Sequence, residues 1–237
     1  MSDSGADIPR VVPPAALRDR VLAVGVPPVM TFLRATQGFW LNTSEGVQVR
    51  ILFRDSRDRC HTRQVALAAG ARLPAPELAG QVTVHLLAGE LQGPGSQRLT
   101  AGDTAGGVEG EWRATSATQL IEFVTATSAP SPHRLAPHAS ATWLPLAEGI
   151  RVRCDEVGTP GGLLLIDAAP GATLAEHVHD GLEELLVLSG SCVVEGESLS
   201  IGDYHRAAPD STHHPTVAGG DGCRLLCVRR PLASEPV

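Results

Sequence analysis

HVHDGLEELLVLSG, residues 177–190, decides the fold, because it sets two histidines one residue apart and then runs into an apolar strand that stops at glycine. Alternate side chains of a strand point to the same face, so His177, His179 and Glu183 share a face if no bulge intervenes. Imidazole and carboxylate groups that converge in this way can bind Zn, Fe, Mn, Ni or Cu. The stretch therefore predicts a strand that carries ligands of a transition metal.

A fourth ligand is expected from a strand distant in sequence. The segment APDSTHHP, residues 208–215, offers His213 and His214 on a turn that follows the strand around Gly202. Each imidazole has a nitrogen that can bind a metal when the ring is neutral. At this point the choice between the two histidines stays open.

The composition favours an all-β chain with room for two domains. The 237 residues are 43% hydrophobic and include 25 glycines and 18 prolines, which favours short strands joined by tight turns. The formal net charge of -7 opposes the anionic phosphate backbone. We therefore expect no nucleic-acid partner.

The N-terminus and the cysteines indicate a reducing compartment. Residues 1–10, MSDSGADIPR, lack the basic and apolar regions of a secretory signal, and no apolar run is long enough to span a membrane. The five cysteines form an odd set without Cys-x-x-Cys spacing, which favours reduced thiols over disulfides or a cysteine zinc site. We expect a cytoplasmic protein with no membrane partner.

The chain repeats several landmarks at a nearly constant interval. EGVQVR at 45–50 returns as EGIRVR at 148–153, HLLAG at 85–89 returns as LVLSG at 186–190, and Gly102-Asp103 returns as Gly202-Asp203. Landmarks that recur in constant order are typical of a duplicated domain. The sequence thus predicts two β-domains, 31–126 and 142–230, joined by a Pro- and Ser-rich linker at 127–141.

A leader at residues 1–30 precedes the first domain, and a tail at 231–237 follows the second. Within the leader, PPAALRDRVLA at 13–23 begins with two prolines and places Leu17 and Val21 one helical turn apart. The pattern predicts one short N-terminal helix.

The second half of the chain resembles the cupin superfamily. The first cupin motif matches Gly171, five residues, His177-x-His179, three residues, Glu183, six residues and Gly190. The second motif matches Gly202, five residues and Ala208-x-Asp210-x-x-His213, with Ala and Asp in place of the usual Pro and Gly. More narrowly, HxHxGxEELLVLSG followed by GDYxRxxPxSxHxP is similar to the cupin domain of ChrR anti-sigma factors, over residues 171–230.

The resemblance implies two tandem cupin barrels, which are jelly rolls or double-stranded β-helices. It also implies one divalent metal, with Zn or Fe favoured and Mn or Ni as alternatives, bound by His177, His179, Glu183 and His213. Glu184 and His214 adjoin these ligands, and each is expected either to support the metal site or to face solvent. His205 is left outside the site, and Tyr204 is expected to pack in the core.

The first half keeps the repeat but lacks the ligands. The same spacing, counted from Gly70 and Gly102, falls on Pro76, Leu78, Val82 and Arg113. The first three of these have no atom that can bind a metal, and arginine is always cationic. We therefore expect a degenerate, metal-free domain that packs against the second as cupin protomers pair in a dimer, with Arg113 as a candidate for holding an anionic group.

Three functions remain open on this evidence. The resemblance to ChrR favours a bacterial sensor or regulator that responds to an oxidant or a small ligand at its metal and that has a regulatory protein partner. Open positions on Fe or Mn would instead support a dioxygenase acting on a small organic substrate such as a diketone or an aromatic ketone. The third possibility is a metal-binding scaffold without chemistry.

Further features limit these functions without choosing among them. No Cys or His precedes Cys60, so the zinc domain with which ChrR proteins bind a sigma factor is not expected here. Beyond the metal ligands no catalytic acid or base is evident. A dry pocket lined by Leu164, Ile166, Leu186 and Leu188 is expected beside the metal. A duplicated chain is compatible with both a monomer and a homodimer.

Overall fold

A computed structural model of the protein describes residues 30–55, 59–127, 133–157 and 162–230. Within these ranges the chain forms β-strands and one short 3₁₀-helix, which confirms the prediction of an all-β protein. The predicted helix at 13–23 and the tail at 231–237 lie outside the described residues. No helix in the described ranges is both long and apolar enough to cross a membrane.

The strands are numbered in chain order. The first eleven are β1 (Met30–Leu33), β2 (Leu41–Ser44), β3 (Val47–Arg54), β4 (Cys60–Leu67), β5 (Gln81–Ala88), β6 (Glu90–Gln92), β7 (Arg98–Thr100), β8 (Thr104–Gly106), β9 (Arg113–Ala114), β10 (Thr118–Thr125) and β11 (Arg134–Ala136). After the 3₁₀-helix His138–Ser140 come β12 (Leu144–Ala147), β13 (Ile150–Asp155), β14 (Leu163–Ala168), β15 (Thr173–Leu174), β16 (His177–Val178), β17 (Leu182–Val194), β18 (Glu197–Ser200), β19 (Tyr204–Ala207), β20 (Thr212–His213) and β21 (Thr216–Arg230).

The sheets fall into two halves. The first half has a seven-stranded sheet in the order β11-β8-β5-β10-β4-β3-β2 and a three-stranded sheet in the order β7-β6-β9. The second half has a nine-stranded sheet along the path β1-β19-β17-β21-β14-β13-β12, with β15 on β21 and β18 on β17, and a two-stranded sheet of β16 and β20. Every strand pair is antiparallel, as expected for strands joined by tight turns.

The repeat is visible in the hydrogen bonds of its Gly-Asp turns. In the first half Gly102 N donates to Leu86 O at 2.8 Å, and in the second half Gly202 N donates to Val187 O at 2.8 Å. Both glycines have a positive φ, +88° and +81°, which residues with a Cβ rarely adopt. The recurring Gly-Asp pair therefore builds the same turn twice.

The two halves exchange their leading strands. β1 pairs with β19 of the second half, and β11 pairs with β8 of the first half. The same aspartate of each repeat anchors the exchange: Ala35 N donates to Asp203 Oδ1 and His138 N donates to Asp103 Oδ1, both at 2.7 Å. The domain bounds predicted from sequence place Met30 in the leader, the rest of β1 in the first domain at 31–126, and β11 in the linker at 127–141. Short strands carry no signal in their own sequence for the sheet they join, because tertiary contacts choose the partner.

Three apolar clusters form the core. One lies within the first half around Trp112 and Leu86, and another lies within the second half around Leu225 and Val187. The third cluster contains residues of both halves, and these include Ile121, Phe123, Leu165, Leu226 and Tyr204. Burying each large apolar side chain contributes about 1.5–3 kcal/mol, so this shared cluster holds the halves together.

Candidate metal centre

The four predicted ligands come from separate segments that a small sheet brings together. β16 and β20 pair antiparallel, which sets His177 opposite His213. His179 lies in the loop after β16, where its N–H donates to Ser211 O at 3.0 Å. Glu183 is the second residue of the long strand β17. The loop and the sheets together aim all four side chains at one point.

Asp210 shapes the turn that leads into His213. It stands where the cupin motif usually has glycine, and its φ of +62° lies in the left-handed region. Asp tolerates this region better than most residues because its short polar side chain can bond locally. Its N–H donates to His179 O at 2.8 Å, so the turn ties the two histidine segments together.

The donor atoms of the four side chains lie within 4.8 Å of one another. Glu183 Oε1 is their common neighbour, 3.3 Å from His179 Nε2 and 3.8 Å from both His177 Nε2 and His213 Nδ1. Three of the side chains are buried, whereas the His177 side chain is 33% exposed. Part of the His177 ring therefore reaches solvent, although its Nε2 is buried.

Backbone and hydroxyl groups fix the orientation of two of the rings. His177 Nδ1 contacts Ala175 O at 3.0 Å, and His179 Nδ1 contacts Ser211 Oγ at 2.9 Å and Ser211 O at 3.1 Å. Because a carbonyl only accepts, each Nδ1 carries the proton and each Nε2 keeps a lone pair. Both Nε2 atoms are buried and have no hydrogen-bond partner. A buried polar atom without a partner is costly, so these nitrogens fit a bound metal ion.

Arg229, on β21, holds the second oxygen of the carboxylate. Its Nε donates to Glu183 Oε2 at 2.8 Å, which leaves Oε1 to face the imidazoles. Burial by itself would raise the pKa of Glu183, but the adjacent imidazoles of His177 and His179 and the hydrogen bond from Arg229 outweigh it and hold the pKa well below its ordinary value. The carboxylate is therefore ionised and able to bind a cation. Sequence reasoning missed Arg229, because nothing in the sequence gives the pairing of β17 with β21.

His205 completes the surroundings of the fourth ligand. The ring is fully buried, and its Nε2 lies 2.8 Å from His213 Nε2. Burial lowers the pKa of His213 to about 4, so this imidazole is neutral near neutral pH, the form that binds metals. Sequence reasoning left His205 outside the site. The pairing of β19 with β17 explains its position. His205 lies opposite Leu185, which is two residues after Glu183, so His205 and Glu183 face the same side of the sheet.

Glu184 lies on the opposite face of β17 from Glu183 and does not adjoin the cluster. It is 2% exposed and accepts hydrogen bonds from Thr62 Oγ1 at 2.5 Å and from the Tyr204 hydroxyl. Its other oxygen accepts from Arg230. The two alternatives expected for Glu184, a place beside the metal or a place in solvent, are therefore both wrong. Its role is in the contact between the halves, since Thr62 belongs to the first half.

His214 faces solvent, which was one of its two expected positions. Its side chain is 69% exposed and its Nδ1 pairs with Glu195 Oε2 at 2.8 Å. The hydrogen bond with Glu195 raises the pKa of His214. His213 is the last residue of β20, and His214 follows it. Because side chains alternate along a strand, the His213 ring points into the cluster and the His214 ring points to solvent.

Arg113 is not positioned to hold an anion inside the first half. It lies on β9 with 45% of its side chain exposed, and its Nε donates to Glu111 Oε1 at 2.8 Å. A surface arginine that already has an acidic partner offers no enclosed anion site. The expectation of an anionic group near Arg113 thus finds no support in this geometry.

The other positions aligned with ligands are aliphatic, and two of them belong to the core. Val82 lies in the apolar cluster of the first half, and Leu78 packs against that cluster. In the described ranges, His177, His179, Glu183 and His213 form the one group of at least three His, Cys, Asp or Glu side chains with converging donor atoms. A metal-free first half remains a prediction.

The pocket lining expected from sequence is wrong for two of its four residues. Leu186 and Leu188 belong to the cluster between the halves, whereas Leu164 and Ile166 pack in the second half. Since Glu183 points into the second half, alternation along β17 sends the even-numbered residues away from it. The prediction from sequence placed Leu186 and Leu188 beside the metal because it did not take this alternation into account.

Solved structures of known proteins share this fold at low sequence identity. A Pseudomonas aeruginosa protein provisionally identified as glyoxylate-induced has a TM-score of 0.70 and 15% identity, with 89% of this chain and 92% of that chain covered. A Nostoc punctiforme protein provisionally assigned as a dioxygenase has a TM-score of 0.66 and 17% identity, with 88% and 85% covered. Streptomyces albus HEPD, with 2-hydroxyethylphosphonate and Fe(II) bound, has a TM-score of 0.65 and 10% identity, with 89% and 78% covered. No curated protein matches the chain in sequence.

The fold and the cluster define the class: the protein has the cupin fold, and its second half has a His/Glu group that could hold a metal. The family model described as the ChrR cupin-like domain matches residues 132–233. The matched residues contain all four side chains of the cluster.

Proposed function

We propose that the chain binds one divalent transition metal through His177, His179, Glu183 and His213. The observation that carries the proposal is the pair of buried Nε2 atoms without hydrogen-bond partners, on His177 and His179, that face an ionised carboxylate. Three nitrogens and one oxygen suit Zn, Fe, Mn or Ni, and the negative carboxylate offsets part of the cation's charge. The neighbours of the ligands hold their rings as supporting residues do in protein metal sites.

We propose further that the site serves a regulatory function and senses a small ligand or an oxidant. A bound metal would supply a Lewis acid that accepts a donor atom of such a ligand. His177 is the ligand with the most exposed side chain, while His179 and His213 are buried. The ChrR cupin-like family of the segment supports the regulatory role. The polar groups next to the ligands, Arg229 and His205, are hydrogen-bonded to Glu183 and His213.

The first half fits a structural role in this proposal. We propose that the halves are two cupin barrels packed side by side, because each has its own apolar cluster and they share a third. A regulatory protein partner could then respond to a change at the metal that the shared cluster transmits.

Metal analysis tests the proposed ligands. The purified wild type is expected to bind about one metal ion per chain, and a His177→Ala, His179→Ala double variant is expected to bind essentially none. His214→Ala is the matched control, since it removes a neighbouring histidine that faces solvent and should keep full stoichiometry. Retention of the metal by the double variant would show that the proposed ligands are wrong.

A dioxygenase is the second candidate function, and the set of donor atoms is compatible with it. Three imidazoles and one carboxylate on a six-coordinate Fe(II) leave two positions for substrate and dioxygen. Measurement of metal identity and oxygen uptake separates the two functions. Stoichiometric zinc without oxygen uptake supports the regulatory function, whereas iron with uptake on a diketone or hydroxylated aromatic ketone would replace it with the enzyme. Loss of activity in the metal-free protein would confirm the second outcome.

A further inference from the structure

We propose that His205 is a positioning residue that fixes the His213 ring, through a hydrogen-bond chain from Thr31, so that His213 Nδ1 faces the metal. The inference rests on the proposed metal site and adds a residue that the cupin motifs do not contain. It also gives the exchanged strand β1 a part in that site.

The direction of the chain follows from the donor and acceptor capacity of each atom. His205 Nδ1 lies 3.1 Å from Thr31 O, and a carbonyl only accepts, so this nitrogen carries the proton. A neutral imidazole has a single ring proton, so His205 Nε2 is an acceptor. His213 Nε2, 2.8 Å away, must then donate, which leaves the lone pair of His213 on Nδ1. That Nδ1 is the atom 3.8 Å from Glu183 Oε1.

The burial and the geometry of the His205 and His213 rings support this assignment of the ring protons. His205 and His213 are 0% and 1% exposed, and two ring nitrogens 2.8 Å apart need one donor and one acceptor. Their planes differ by 15° with centroids 4.9 Å apart, which lets the two Nε2 atoms meet nearly in one plane. Turning the His213 ring over about its Cβ–Cγ bond would point carbon atoms at both His205 and Glu183. The observed orientation alone uses both nitrogens.

Strand β1 holds His205 from behind. Phe32 pairs with His205 across β1 and β19, and the two rings stack with centroids 4.5 Å apart. Ala35, just after β1, is anchored by its bond to Asp203. The metal site thus depends on a strand that precedes the first half in sequence. A change at the metal would reach β1 through His213 and His205.

The proton positions of the metal-free protein test the first step. Long-range proton–nitrogen correlation spectra at neutral pH are expected to show His213 with its proton on Nε2 and His205 with its proton on Nδ1. The His205→Leu variant is expected to show His213 as a mixture of both neutral forms. A proton on His213 Nδ1 in the wild type would overturn the proposal.

Binding of Co²⁺ tests the second step. His205→Leu is expected to bind Co²⁺ about 10–100-fold more weakly than the wild type and to shift the visible absorption of the bound ion. His205→Gln keeps an acceptor for His213 Nε2–H and is expected to restore most of the affinity. His85→Leu, which removes a buried strand histidine of the first half, is the matched control and is expected to bind like the wild type.

Equal affinity and equal spectra for His205→Leu and the wild type would overturn the proposal, as would an equal loss in His85→Leu. If His205→Leu fails to fold, the His205→Gln variant and the wild-type proton positions still decide it. If the wild type binds no Co²⁺ while the proton positions are as expected, the proposed metal site fails and the positioning of His213 stands.

Discussion

Removal of Arg230 from the contact between the halves is expected to destabilise the protein strongly. Arg230 and Glu184 pair with 1% of each side chain exposed. Arg230 Nη1 also donates to Val124 O at 3.1 Å and His61 O at 3.3 Å, both in the first half. Burial lowers the pKa of Arg230 only to about 10, so the guanidinium is charged near neutral pH.

The expected cost follows from what each variant leaves behind. Arg230→Met leaves the Glu184 carboxylate buried without a counter-charge, which costs about 3–5 kcal/mol. Glu184→Met leaves the guanidinium in the same state and costs a similar amount. The double variant buries no charge, and its main cost is the lost acceptor of the Thr62 and Tyr204 hydroxyls, at about 1–3 kcal/mol. The double variant is therefore expected to be more stable than either single variant.

Equilibrium urea unfolding of the metal-free protein measures these free energies. The interaction energy of the double-mutant cycle is expected to exceed about 3 kcal/mol. Arg98→Met is the matched control, since it removes an exposed arginine paired with Glu90, and it should leave the free energy of unfolding nearly unchanged. Additive effects of the two Met substitutions would refute the reasoning, because they would mean that neither charge depends on the other.

Two further predictions concern the first half and the turns. Burial and Arg153 lower the pKa of His85 to about 3, so its contribution to stability is present above the unfolded pKa of 6.5 and is lost as the pH falls. Between pH 7.5 and 5.0 the free energy of unfolding is expected to fall by about 2 kcal/mol because of His85. Urea unfolding of His85→Leu at both pH values should show that this decrease is absent. The same pH dependence in His85→Leu and the wild type would contradict the role of His85. Gly190→Ala should destabilise more than Gly171→Ala, because both have a positive φ but a Cβ at Gly190 would collide with the Gly222 carbonyl, whereas nothing lies within 4 Å at Gly171. The difference is expected to be about 1–3 kcal/mol in urea unfolding, and equal costs would show that the backbone shifts freely.

The parts of the site that sequence could predict are those set by short spacing. His177, His179 and Glu183 lie within seven consecutive residues, and this short spacing keeps them together although the predicted single strand is interrupted between β16, which ends at Val178, and β17, which begins at Leu182. His213 required the motif, because its distance to the others depends on the pairing of β16 with β20. The Gly-Asp repeat likewise predicted a turn that the structure builds twice.

The parts that sequence could not predict depend on which strands become neighbours. The salt bridge of Arg229 with Glu183 needs the pairing of β21 with β17, and the stacking of Phe32 on His205 needs the exchange of β1. The predicted position of Glu184 was wrong for a different reason. A charged residue with the parity opposite to a buried ligand is usually at the surface, but here that face of β17 is covered by the first half, and Arg230 compensates its charge.

The register of β17 links the metal site to the contact between the halves. Along this strand Glu183 faces the cluster and Glu184 faces the first half, so a slip by one residue would move one acid into the other's place and put Leu182 or Leu185 in the place that it left. The pairing of β17 with β21 is regular from Leu182 to Val187, and its irregularities come only after Val187. A slip in one direction would take the carboxylate from the imidazoles, and a slip in the other direction would take it from Arg230. The buried pair of Glu184 and Arg230, which contacts Thr62 and Val124 of the first half, therefore fixes the register that presents Glu183 to the histidines.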